Sequence, residues 1–128
     1  MALSEIVQQF LIKYIHSVDQ LEILLLLKNE PQKEWAAEEV ARALFTQAEA
    51  ADARLAELAT YQLLLEKKIG NQTTYHYAAR GDLDRAVQDL AEAYPKYRVT
   101  IINLIFSKPI DKIRTFADAF RIKKEDDE

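Results

Sequence analysis

Few side chains in this sequence are equipped to make or break bonds. There are two histidines, His16 and His76, and no cysteine. The histidines are far apart, so neither belongs to a metal spacing such as two histidines four apart on a helix. Ser17 follows His16, but a helix cap explains it better than a nucleophile does. Glu38 and Glu39 are adjacent, so on a helix their carboxylates diverge. No glycine-rich phosphate loop is present. The expectation is a protein that is not an enzyme and needs no cofactor or metal. The remaining chemistry is hydrogen bonding. Gln47, Ala50 and Arg54, with Glu57, share one outward helix face. Lys67, Lys68, Asn71, Gln72, Thr73 and Arg80 follow on a stretch that reads as a hairpin.

The elements that must hold these residues are mostly helices, because 2 Gly and 3 Pro punctuate 128 residues and long helices with short links follow. The first helix is expected from about Ala2 to Ile15, where Leu3, Ile6, Val7, Phe10, Leu11, Tyr14 and Ile15 recur at helical spacing. Ser17 with Gln20 reads as a capping box. The helix that follows is apolar nearly all round through Leu24 to Leu27 and should be central to the core. Asn29-Glu30-Pro31 ends it. Lys33 to Trp35 reads as a short strand, and a helix is expected from Ala37 to Leu44. Thr46 with Glu49 reads as a second capping box, opening a helix that reaches about Thr60 and buries Ala48, Ala51, Leu55 and Leu58.

The period then changes from helical to alternating. Leu63 to Lys68 and Thr73 to Ala78 read as strands joined at Gly70-Asn71, a hairpin signal. Asp82 is expected to cap a helix burying Leu83, Ala86, Val87, Leu90 and Ala91. Pro95 suits the first turn of another helix, which carries Val99, Ile101, Ile102, Leu104, Ile105 and Phe106. That helix is apolar on two faces, so something must cover both. Pro109 starts a last helix with Ile110, Ile113, Phe116, Ala117 and Phe120 on its stripe. Residues 125–128 read as an acidic tail.

From Ser17 to Arg80 the order is helix, short strand, helix, tight turn, helix, hairpin. This half of the chain resembles the winged helix-turn-helix family of bacterial transcriptional regulators. Trp35-Ala36-Ala37-Glu38-Glu39-Val40-Ala41 is similar to the family's passage from strand to helix. Arg54-Leu55-Ala56-Glu57-Leu58 followed by Leu63-Leu64 is similar to the end of its recognition helix running into the first wing strand. Gln62 stands where the family usually has a glycine that takes a left-handed backbone. The resemblance implies a mainly α fold: a winged-helix core over 17–80 with a small β-hairpin wing, and flanking helices over 2–15 and 82–122, in one domain of residues 1–124. It implies a DNA-binding transcriptional regulator, with the helix of about 46–60 in the major groove of double-stranded DNA and the wing of about 63–78 on the backbone. Gln47 would then pair with adenine, Arg54 with guanine, and Ala50 would touch a thymine methyl. Lys67, Lys68, Asn71, Gln72, Thr73 and Arg80 would hold the backbone. Flanking helices often dimerise such regulators, so a homodimer is expected; the alternative is that the first helix, the Val99 to Phe106 helix and the last helix simply pack on one another.

Charge points the other way. The net charge is −4. From Ala37 to Thr60, Arg42 and Arg54 face Glu38, Glu39, Glu49, Asp52 and Glu57. Phosphate contacts from Lys and Arg supply most non-specific affinity for DNA, so an acidic motif begins with repulsion. A winged helix that binds a protein partner and no DNA is the alternative. The densest basic group is Lys108, Lys112, Arg114, Arg121, Lys123 and Lys124, which also reads as the wet face of an amphipathic helix. The longest apolar run, near Leu24 to Leu27, is too short to cross a bilayer, and no signal segment is visible. The expectation is a cytoplasmic protein.

Overall fold

A computed structural model describes residues 3–107 of the chain. The expected helix from Pro109 and the basic group from Lys108 onward lie outside the described residues. Within the described residues, six helices and three strands follow in the order α1 (Glu5–Tyr14), α2 (Val18–Asn29), β1 (Trp35–Ala36), α3 (Ala37–Leu44), α4 (Ala48–Thr60), β2 (Leu64–Ile69), β3 (Gln72–Tyr77), α5 (Gly81–Ala93) and α6 (Arg98–Ser107). The fold is mainly α, with a small antiparallel sheet in the order β1-β3-β2.

Local chemistry sets most boundaries. α1 starts later than its apolar pattern suggests, because Ser4 caps it by accepting from the Val7 N–H at 3.2 Å. Ser17 caps α2 as expected, accepting from the Gln20 N–H at 3.1 Å. The return half of that capping box is displaced, since the Gln20 amide oxygen accepts from the N–H of His16 at 2.6 Å instead of from Ser17. The box expected at Thr46 does not form. α4 begins one residue later, with Gln47 at the cap position and no side-chain bond there. α5 likewise begins at Gly81 behind Arg80, and Asp82 falls in its first turn instead of capping it. β1 is Trp35–Ala36, beginning two residues after and ending one residue after the expected strand. Pro95 lies in the turn before α6 instead of inside its first turn.

α2 is the hub, as its nearly uniform apolar surface requires. Leu21, Ile23, Leu24 and Leu27 are all buried. α4 packs on α2 and α3, while α1 packs on α5 and α6. The buried side chains form one cluster running from Leu11 and Ile15 through Leu55 and Leu58 to Leu90 and Ile101. Ala91 is only half-buried. α6 buries Ile101 and Ile105, whereas Val99 and Phe106 are 71% and 76% exposed.

Candidate nucleic-acid interface

Two left-handed residues shape the site. α3 ends at Phe45, which takes φ +56°, while the Thr46 N–H reaches back to the Ala41 carbonyl at 3.0 Å. This closes the tight turn into α4. Phe45 is 96% exposed. At the far end of α4, Gln62 takes φ +66°. The Leu63 N–H bonds the Leu58 carbonyl at 3.0 Å, and the Gln62 N–H bonds that of Ala59 at 2.9 Å. This is the Schellman pattern, sealed by the fully buried pair Leu58 and Leu63. Gln62 therefore supplies the left-handed backbone that a glycine would give, and the chain turns there toward the wing.

The wing is a two-residue hairpin. Gly70 takes φ +62° while Asn71 stays at negative φ, the sign pattern of a II′ turn with glycine first. Its register pairs Ile69 with Gln72, Lys67 with Thr74 and Leu64 with Tyr77. Asn71 and Gln72 are exposed at the tip, and Thr73 is half-buried behind them.

The outward face of α4 differs from the expected one. Glu49, Ala50, Asp52, Ala53, Ala56 and Thr60 are exposed, and Gln47 is exposed at the cap. Arg54 is only half-buried on the flank, beside buried Leu55, Ala51 and Leu58. Its guanidinium pairs with Glu57 one turn on, at 3.3 Å. The exposed surface of α4 is thus a strip of alanines edged by carboxylates, with Arg54 at its margin.

The wing lysines are paired too. Lys67 reaches across the central strand to Glu34 at 3.1 Å, and Lys68 lies 3.7 Å from Glu66. Strand alternation explains the second pair: residues 66 and 68 share a face with Tyr75, which is opposite Glu66. The Tyr75 hydroxyl is pushed above its usual pKa, first by burial and then by the charges of Asp52 and Glu66. The charges of one carboxylate on α4 and one on the wing thus act on the same buried phenol. Arg80 stands apart, exposed at the start of α5 and lining an open cleft with Gln62, Leu65 and His76. It has no ion pair among the described residues.

The geometry thus puts Gln47 and Ala50 on the exposed side of α4, with Arg54 at its margin. It gathers Lys67, Lys68, Asn71, Gln72 and Thr73 on the wing and leaves Arg80 at the wing's base. Glu57 lies on the face read from the sequence, but the acids that hold the wing lysines, Glu34 and Glu66, were missed. Glu34 carried no signal, because its partner is two strands away. The alternation of 66 and 68 could have revealed Glu66. His16 bonds the Tyr61 hydroxyl through Nε2 at 2.7 Å, beyond the end of α4. Among the described residues no group of three His, Asp or Glu side chains is placed to hold a metal ion, and no helix is long and apolar enough to cross a membrane.

No family model matches the sequence, and no curated protein matches it. Solved structures do. The homodimeric winged helix-turn-helix DNA-binding domain of a possible ArsR-family transcriptional regulator from Mycobacterium bovis shares 26% identity. The match covers 70% of this chain and 80% of that one with a TM-score of 0.53. MepR, a transcription regulator of the Staphylococcus aureus multidrug efflux pump MepA, matches at 12% identity over 88% and 83% of the two chains, TM-score 0.55. The adhesin competence repressor of Streptococcus pyogenes matches at 16% identity over 86% and 81%, TM-score 0.52. At these identities the likeness concerns the fold: this chain has the winged helix-turn-helix fold of DNA-binding transcription regulators.

Proposed function

We propose that the protein is a transcriptional regulator that binds double-stranded DNA as a homodimer, with α4 in the major groove and the β2–β3 hairpin on the backbone. The observation that carries this reading is the geometry of α4. It is capped by no side chain, exposes Gln47 and Ala50 at its N-terminal end, and is followed through a left-handed residue by a II′ hairpin whose tip offers uncharged donors. Recognition helices of this type contact bases with their N-terminal residues, and small alanines on the outward face allow close approach to the groove. The Mycobacterium bovis neighbour is described as a homodimeric DNA-binding domain, which supports both parts of the reading.

A second reading rests on a different observation. Glu49 and Asp52 are exposed on α4 and Glu66 is exposed on the wing. A surface of this sign suits a basic protein partner better than phosphate. One titration separates the two. Fluorescent duplex DNA is titrated with the protein at several salt concentrations and read by anisotropy. Binding that weakens steeply with salt supports the regulator. Absence of binding at the lowest salt rejects it in favour of the protein partner.

A further inference from the structure

Three of the four cations in the candidate interface are already occupied. Arg54 is held by Glu57, Lys67 by Glu34 and Lys68 by Glu66, at 3.3, 3.1 and 3.7 Å. The pairs come from three separate places: within α4, across the sheet, and along β2. All three acids are glutamates, and their side chains are 40–41% exposed. Accessibility decides what such pairs can do. A buried ion pair resists separation, because each charge would be left without a partner. A half-exposed pair contributes little stability and opens readily. These cations are therefore available to an incoming phosphate, but only in exchange for a carboxylate that stays nearby and repels it.

We propose that Glu34 and Glu66 are attenuators of DNA binding, competing with the phosphate backbone for Lys67 and Lys68 so that the wing holds DNA weakly and exchangeably. Glu57 does the same for Arg54 on α4. The inference rests on the DNA-binding reading above and goes beyond it by naming the residues that set the affinity. Architecture supports a competing role over a bracing one. The wing is already fixed by its β3 ladder, by the II′ turn and by the Schellman end of α4, none of which involves the side chains of Glu34 or Glu66. Lys68 in particular is 72% exposed and can swing off Glu66 without disturbing packing.

The test uses the whole chain, a short mixed-sequence DNA duplex, and the variants Glu34→Gln, Glu66→Gln and Glu92→Gln. Glu92 is an exposed residue of α5 beside the start of α1, and its variant carries the same change in net charge. Affinity is measured across a salt series and melting temperature alongside it. Glu34→Gln and Glu66→Gln are expected to tighten binding about two- to fivefold each, the range that exposed pairs span. Each should steepen the salt dependence by up to about one phosphate equivalent, with Glu92→Gln close to wild type. If wild type binds and the two wing variants match it in affinity and slope, the proposal is wrong while the DNA reading stands. An equal gain in Glu92→Gln assigns the effect to net charge and also overturns it. Weaker binding with a lowered melting temperature in Glu34→Gln makes Glu34 a brace and overturns its attenuating role. If none of the proteins binds at the lowest salt, the DNA reading itself falls and takes this inference with it.

Discussion

The Tyr77 hydroxyl donates to the Asp84 carboxylate at 2.7 Å, tying the last residue of the wing to the first turn of α5. A hydrogen bond to a charged group is worth about 1.5–3 kcal/mol, and both groups here are half-buried. Tyr77→Phe should therefore lower stability by about 1–2 kcal/mol in a denaturant titration; a midpoint equal to wild type would show that the link contributes nothing. The same bond has a pH signature. Tyr77 is held above its usual pKa of 10.0 by burial first, then by its hydrogen bond to Asp84 and the Asp84 charge. A phenol whose folded pKa is raised contributes stability that is fully present below its unfolded pKa and is lost as pH rises past it. Tyr75 and Tyr94 shift the same way. Melting temperature should thus hold to about pH 10 and fall above it, with a shallower fall in Tyr77→Phe.

Phe45 and Gln62 occupy left-handed backbone at the two ends of the α3–α4 unit. That conformation costs a residue bearing a Cβ about 1–2 kcal/mol, and glycine recovers it less its own entropy of about 0.5–1 kcal/mol. Gln62→Gly and Phe45→Gly should each stabilise the fold by up to about 1 kcal/mol. Neither loses burial, since both residues are exposed. Gln62→Pro should do the opposite, because the Gln62 N–H is bonded to Ala59. Thermal melts of the three variants check the ordering, and a loss of stability on either glycine substitution would contradict it.

The order of elements from Ser17 to Arg80 is legible in the sequence because each carries its own signal: the Ser17 cap, the apolar run of Leu24 to Leu27, and the change to alternation before Gly70-Asn71. Boundaries are less so. Thr46 and Asp82 have the right side chains to cap, but Gln47 and Arg80 take the cap positions, and tertiary packing of α4 and α5 overrides a bond worth about 1 kcal/mol. The exposed face of α4 lies to one side of the expected one, since the buried residues Ala51, Leu55 and Leu58 place Arg54 at its edge. The pairing of Lys67 with Glu34 is illegible for a plainer reason, since it exists only once three strands are aligned.

Arg54 at that edge still has donors to spare. Its Nε is buried with no partner, as is one Glu57 oxygen, so the Arg54–Glu57 contact leaves both groups incompletely bonded. If a small rotation brings the guanidinium onto a guanine, Arg54→Ala should weaken binding to a preferred duplex by about 1–3 kcal/mol. The cost to folding should stay within about 1 kcal/mol, because the pair is half-exposed. Selection of a preferred sequence followed by competition titrations of both proteins measures the first quantity, and urea unfolding the second. Unchanged affinity would remove Arg54 from the reading face and leave Gln47 as its polar member.

Homodimerisation can be tested on α6. Ile101 and Ile105 face the core, while Val99, Ile102 and Phe106 recur at the spacing of a second stripe. Val99 and Phe106 are more than two-thirds exposed, although fully burying such side chains is worth about 1.5–3 kcal/mol each. A two-fold interface uses the same patch on both copies, so a stripe on one helix would meet its own image and every substitution would count twice. The double variant Val99→Glu, Phe106→Glu should accordingly sediment as a monomer at concentrations where the wild type is a dimer. Its melting temperature should remain near that of the isolated fold, because neither side chain belongs to the core of the described residues. DNA affinity should fall as well, since one half-site contact in place of two loses the gain from joint binding. A dimer that survives both carboxylates would exclude this stripe and turn attention to the exposed Ile6 on α1.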